Sequence, residues 1–233
     1  MQQKYLRVKI LSQRFVLLFV IPCLLASCYA GIVFSGRSIF SEDRRTNITV
    51  LSTKDECTIA ITGPITNETT QMFQTAIEEA QSRKCSDTWI ILSSGGGLVK
   101  PAMDIGNIIR SNGYNTQIHF GNSCASACGL IFISGKSRAI SSTPIIQTAI
   151  GFHQVSRLSG TDKSCVTDAN DRASKALWGY SRQMLPESSA KVFYDRVMST
   201  DCNTMKYITS DEAEKNGISN RRNRPCKDCA VLN

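Results

Sequence analysis

The spacing of hydrophobic and polar positions changes along the chain, and each change marks an element. Cys57-Thr58-Ile59-Ala60-Ile61-Thr62 alternates like a half-buried strand and stops at Gly63-Pro64, a turn signal. Asn67 is placed to cap a helix on which Met72, Phe73, Ala76, Ile77 and Ala80 recur at three- and four-residue spacing. Trp89-Ile90-Ile91-Leu92 is a continuous apolar run, the pattern of a strand covered on both faces. A helical face of Ala102, Ile105, Ile108 and Ile109 comes next, then a strand over 116–120 and the apolar run Leu130-Ile131-Phe132-Ile133. Residues 166–184 and 187–199 read as helices, and the chain closes with Tyr207-Ile208-Thr209, a short helix over 210–216, and Gly217-Ile218. Strands alternating with helices predict an α/β fold, with stacked units around a mainly parallel sheet.

The N-terminus has a different pattern. Lys4, Arg7, Lys9 and Arg14 precede an almost unbroken apolar run from Phe15 to Leu25, the layout of a secretory signal. Three outcomes stay open for residues 1–30: cleavage by an ordinary signal peptidase, lipidation of Cys28 in the lipobox-like Leu25-Ala26-Ser27-Cys28, or an uncleaved membrane anchor. Each of them exports the rest of the chain, so the expected location is the bacterial periplasm or cell envelope. Residues 31–53 are polar and mixed and read as a linker, with the folded part beginning close to Asn47; residues 54–220 read as the domain, and 221–233 as a basic, Cys-containing tail.

Charge adds little to this picture. The whole chain carries +8, but four of its 27 Lys and Arg and none of its 19 acids lie in the leader, leaving +4 beyond it. Nucleic acid is therefore not an expected partner, and Arg221-Arg222-Asn223-Arg224 reads as a solvated tail.

Cysteine usage fits an exported chain. Cys23 and Cys28 lie in the leader, and eight more come after it at 57, 85, 124, 128, 165, 202, 226 and 229. An even count behind an export signal argues for disulfides. Local pairings would join Cys57 with Cys85, Cys124 with Cys128, Cys165 with Cys202, and Cys226 with Cys229. Spacing alone does not determine connectivity, and Cys124 with Cys128 is the least secure because a regular helix gives poor disulfide geometry at that separation. The single Cys226-x-x-Cys229 has no partner motif, so no metal is expected.

Three short stretches carry candidate chemistry. Ser126 sits among small residues in Cys124-Ala125-Ser126-Ala127-Cys128, between a strand and a helix, where a turn would present its hydroxyl. The N–H of Ala127 would lie at a helix start with no intrahelical acceptor, free to hold an oxyanion. Gly95-Gly96-Gly97 comes after a strand, which lets the backbone approach a ligand closely; no Gly-Lys-Ser or Gly-x-Gly-x-x-Gly pattern accompanies it, which disfavours a nucleotide loop. Finally, Gly151-Phe152-His153-Gln154 supplies a histidine, the usual base for a serine, while His119 reads as structural.

These motifs, in this order, resemble the Clp-protease proteolytic subunit (ClpP) and the wider ClpP/crotonase superfamily. The resemblance covers about residues 57–220, where Ser94-Gly95-Gly96-Gly97, Cys124-Ala125-Ser126-Ala127 and Gly151-Phe152-His153-Gln154 match the glycine loop, serine turn and histidine segment. Ile208-Thr209-Ser210-Asp211-Glu212-Ala213 with Gly217-Ile218 is similar to the closing segment of that family, and the nearest likeness is to exported ClpP-like bacterial proteins. The resemblance implies Ser126 as nucleophile, His153 as base, and the amides of Gly97 and Ala127 as oxyanion hole. It departs at the third member of the triad: Met205 holds the place of the family aspartate, and Asp201 or Asn203 is the nearest substitute. Lys175 is a lesser candidate base, by likeness to the signal-peptide peptidases of the same superfamily.

The leading expectation is an exported serine hydrolase, a peptidase acting on peptides or unfolded segments through an acyl-enzyme and needing no cofactor. A catalytically silent binding or assembly module is the alternative, supported by Met205. An acyl-coenzyme A enzyme of the crotonase type fits export poorly. Homo-oligomers and membrane attachment through the N-terminus stay open, and no ATPase partner is inferred because the cytoplasmic context of ClpP does not carry over.

Overall fold

The computed structural model describes residues 45–142 and 148–222. The leader with Cys28, most of the linker, and the tail from 223 with Cys226 and Cys229 lie outside the described residues. Among the described residues, no helix is long and apolar enough to cross a membrane.

The elements are, in order, β1 (Asn47–Ser52), β2 (Glu56–Thr62), α1 (Asn67–Ser82), β3 (Asp87–Ser93), α2 (Val99–Ser111), β4 (Asn115–Ile118), β5 (Ser123–Ala125) and α3 (Ala127–Ile133). After these come β6 (Arg138–Ile140), β7 (Ala149–Phe152), β8 (Ser156–Ser159), β9 (Asp162–Cys165), α4 (Arg172–Met184), α5 (Glu187–Met198), β10 (Lys206–Thr209), α6 (Ser210–Lys215) and β11 (Arg221–Arg222). A six-stranded sheet runs β1-β2-β3-β4-β6-β11, parallel except for the β1–β2 pair. A second sheet runs β10-β7-β5, with β5 parallel and β10 antiparallel to β7. This is the expected mixed α/β architecture.

The sheet buries both faces of its middle strand. Ile90 and Leu92 join Ile59, Ile61, Phe73, Ile77, Ile105 and Ile118 in the main core, while Trp89 and Ile91 cluster with Ala60 and Ala139. Successive side chains of a strand point to opposite faces, so a continuous apolar run is what two buried faces require. The α1 start differs from expectation by one residue: Thr66 is the N-cap, its N–H donating to Thr69 Oγ1 at 2.8 Å, and Asn67 is already helical.

Four segments depart from the reading by pattern. Residues 47–52, assigned to the linker, pair along their whole length with β2 as an edge strand. Arg221 and Arg222, assigned to a solvated tail, extend the sheet beside β6, and the Arg221 guanidinium lies over the Trp89 ring at 5.5 Å. The long helix expected from 166 begins only at Arg172, where Asp171 caps it by accepting from the Ala173 N–H at 2.7 Å. Ahead of it stands the β8–β9 hairpin, whose base is tied to the segment after α5 by the Cys165–Cys202 disulfide. The strand expected over 116–120 ends at Ile118, and all four of its residues are buried.

Helix α4 is fixed to the rest of the core by Tyr180. Its buried hydroxyl donates to the Leu130 carbonyl at 2.9 Å, and it sits where a Cβ on Gly106 would fall 1.8 Å away, so only glycine lets α2 and α4 approach this closely. Burial raises the Tyr180 phenol well above its ordinary value of 10.0. A raised folded-state value means that this contribution is complete below about pH 10 and is lost as pH rises beyond it, because the unfolded chain ionises first. Tyr180→Phe should therefore cost about 1 kcal/mol in urea unfolding at pH 7, with the gap to the parent chain narrowing above pH 10. An unchanged gap would mean that the hydroxyl is not what holds α4.

Candidate active site

The turn between β5 and α3 places Ser126 where no intervening loop can relax it. Ser126 has φ +55° and ψ −125°, and among the described residues only Lys84 is another non-glycine residue at positive φ. Such a conformation costs of order 1–3 kcal/mol and persists only where the surroundings hold it. Here the Ser126 N–H donates to the Gly151 carbonyl at 2.9 Å, and its carbonyl accepts from the Gly129 N–H at 2.9 Å. Ala125 and Ala127 on either side are buried, which explains why small residues flank the serine.

Among the described residues three disulfides form: Cys57–Cys85, Cys124–Cys128 and Cys165–Cys202. The second spans the serine turn, with both cysteines fully buried. Regular helical geometry would disfavour it, but Cys124 belongs to β5 and Cys128 to the first turn of α3. The strand-to-helix bend brings their Cα atoms to 5.2 Å, within the usual disulfide range.

The glycine loop packs directly on this turn. Ser94 donates its N–H to Ser123 O at 2.9 Å and accepts from the Ala125 N–H at 3.0 Å, joining the end of β3 to β5. Gly96 and Gly97 have φ of +104° and +148°. A Cβ on Gly96 would fall 2.7 Å from both Ala125 O and Ser126 Cβ, and one on Gly97 would fall 2.1 Å from Ile65 O. Among the described residues, the Gly97 and Ala127 N–H groups make no hydrogen bond, and both residues line the cavity onto which Ser126 opens.

His153 comes directly after the last residue of β7 and lines the same cavity, which has a volume of about 210 Å³. Its Nδ1 lies 2.7 Å from the Gln154 carbonyl oxygen. Ser126 and His153 thus share one cavity without being hydrogen-bonded to each other. The cavity floor is apolar, built by Leu130 from α3, Leu177 from α4, and Phe193 and Val197 from α5. Sequence reading missed these floor residues as site residues, since their helical spacing marks them only as core.

The expected substitutes for the family aspartate do not reach His153. Asp201 is exposed and accepts the Asn203 N–H at 2.8 Å, capping its own turn, and Asn203 is also exposed. Neither lines the cavity. Lys175 lies exposed on α4, and among the described residues no lysine lines the cavity. His119 is half-buried just past β4, where desolvation lowers its pKa, and it does not line the cavity. Ligand atoms of Cys165, Asp201 and Cys202 lie within 4.8 Å of one another, but both sulfurs are engaged in a disulfide, which leaves no thiolate there to ligate a metal.

No protein-family model and no curated protein matches the chain. Among solved structures it is similar to a serine-to-alanine mutant of the 1510-N membrane-bound stomatin-specific protease. The TM-score is 0.58 at 21% identity, over 78% of this chain and 84% of that one. It is likewise similar to a lysine-to-alanine mutant of the same protease in complex with a substrate peptide, with TM-score 0.58 and 21% identity over 74% and 76% of the two chains. A likeness at that identity speaks for the backbone alone: the chain shares its α/β fold with that protease.

Proposed function

We propose that the chain is a serine hydrolase that cleaves peptides or unfolded protein segments. The observation that carries this reading is Ser126, held at φ +55° between a strand and a helix and opening onto a cavity shared with His153. In the proposed reaction Ser126 Oγ attacks the scissile carbonyl carbon while His153 Nε2 takes its proton. The oxyanion is held by the N–H groups of Gly97 and Ala127. Collapse of the intermediate breaks the C–N bond, the leaving amine takes the proton from His153, and water hydrolyses the acyl-enzyme by the same route. The apolar floor suits an aliphatic or aromatic side chain on the residue that donates the carbonyl.

Three disulfides support export to an oxidising compartment, which agrees with the expected bacterial periplasm or envelope. A histidine base is favoured over a lysine base, because among the described residues His153 and no lysine lines the cavity. That no carboxylate lines the cavity among the described residues favours one other reading, a silent domain that binds peptides in the same cleft.

Labelling of the purified, oxidised chain with a fluorophosphonate discriminates the two. Labelling that disappears in Ser126→Ala and slows markedly in His153→Ala is the expected result. A parent chain that takes no label, yet binds peptides with an apolar residue, would establish the silent module.

A further inference from the structure

His153 has a hydrogen-bond partner that the sequence does not advertise. With Met205 in place of an aspartate and Asp201 turned to its own loop, the ring is held through Nδ1 by the main-chain carbonyl of Gln154, 2.7 Å away. A carbonyl can only accept, so the proton belongs on Nδ1 and the lone pair on Nε2, the tautomer a general base needs.

That carbonyl is held in turn. The Gln154 N–H donates to Thr200 O at 2.8 Å, and the Gln154 side-chain amide donates to Met198 O at 2.6 Å. Gln154 is only 8% exposed, so both bonds are sheltered from competing water. Their acceptors lie at the end of α5, where Thr200 Oγ1 donates to Arg196 O at 2.9 Å and the Cys165–Cys202 disulfide ties down the next turn. Gln154 is thereby fixed through both its backbone and its side chain.

We propose that Gln154 is a positioning residue for His153: its clamped carbonyl sets the ring's orientation and tautomer, the role a triad carboxylate would otherwise fill. The inference rests on the serine-hydrolase reading for its catalytic meaning, but its structural content stands apart from that reading. A neutral carbonyl supplies the tautomer control of a carboxylate without its full stabilisation of imidazolium, so this site is a dyad with a main-chain orienter. It also accounts for a glutamine buried beside a candidate active site with its side chain turned to the end of α5.

The test is ¹⁵N NMR of the histidine rings in the full chain, paired with steady-state kinetics of Gln154→Met, which keeps the length and loses the donor. In the neutral form of the parent chain, His153 should carry its proton on Nδ1. Gln154→Met should show a mixture of the two neutral tautomers, with kcat about 10²-fold lower, the scale of a small misplacement of a reacting group, and KM little changed. An Nε2–H tautomer in the parent overturns the proposal, as does a Gln154→Met chain whose tautomer and kcat are unchanged, or whose kcat falls while the Nδ1–H tautomer persists. The parent spectrum decides the matter even if Gln154→Met fails to fold. Fluorophosphonate labelling of the same parent sample reports separately on the hydrolase reading, so failure of one is distinguishable from failure of the other.

Discussion

Ser126→Ala and His153→Ala are each expected to lower kcat for an apolar-residue peptide by about 10³- to 10⁶-fold, and the double variant to be no worse than the poorer single one. The serine hydroxyl is a weak nucleophile without a base, and the histidine has no proton to take without the hydroxyl, so the second loss finds nothing left to remove. The backbone bonds of Ser126 to Gly151 and Gly129 survive the exchange to alanine. Relief of positive φ is not obtained by alanine either, so thermal stability should change little. Losses that multiply in the double variant would show that the two residues act separately, and would point to another base.

Gly96→Ala is the second large expectation. Its Cβ would intrude to 2.7 Å from Ala125 O and Ser126 Cβ and to 3.1 Å from the Ala127 N, and the φ of +104° is strained for any residue with a side chain. The turn must shift, carrying with it Ser126 and the Ala127 N–H, the proposed nucleophile and one of the two proposed oxyanion donors. Loss of one such donor costs about 10²- to 10³-fold in kcat. Gly95→Ala is the matched control: a Cβ there meets nothing within 4 Å. Peptide hydrolysis by the two variants, with circular dichroism melts to compare folding, should separate a nearly silent Gly96→Ala from a Gly95→Ala close to the parent. Equal activities would mean that the glycine loop does not support the turn.

The second expectation draws on residues whose role the chain alone left open. Three consecutive glycines after a strand are compatible with a phosphate loop, a plain turn or an oxyanion loop. What separates these is the partner brought against them, here the Ser126 turn, which arrives through β5 by way of the Ser94–Cys124 bridge. Likewise the Phe193 and Leu177 spacing reads simply as core, because a helix face that lines a small cavity and one that packs solidly have the same periodicity.

The elements whose period is unbroken were legible in the sequence: β2, α1, β3 and α2 fall where alternation, a helical apolar face and a continuous apolar run put them. Candidate chemistry was legible too, because Ser126 among small residues and His153 before a glutamine are local patterns. The edges were not. Strand β11 is a pair of arginines, since an edge strand needs only its backbone to pair, and β1, though Ile48 and Val50 alternate with polar residues, is only partly buried at the sheet edge. The hairpin β8–β9 was hidden because its residues are mostly exposed and have no apolar period to reveal them.

Sequence by itself determined that the chain alternates strands with helices, and which serine and histidine are the candidates for chemistry. These come from local composition and spacing, which short-range sterics and burial translate directly into structure. Only the tertiary structure decided that Ser126 and His153 share one cavity, that Cys124 and Cys128 bridge the serine turn, and that a main-chain carbonyl stands beside His153 in place of Asp201. Each of those depends on how the backbone bends and on which segments meet at one point, and local spacing carries neither.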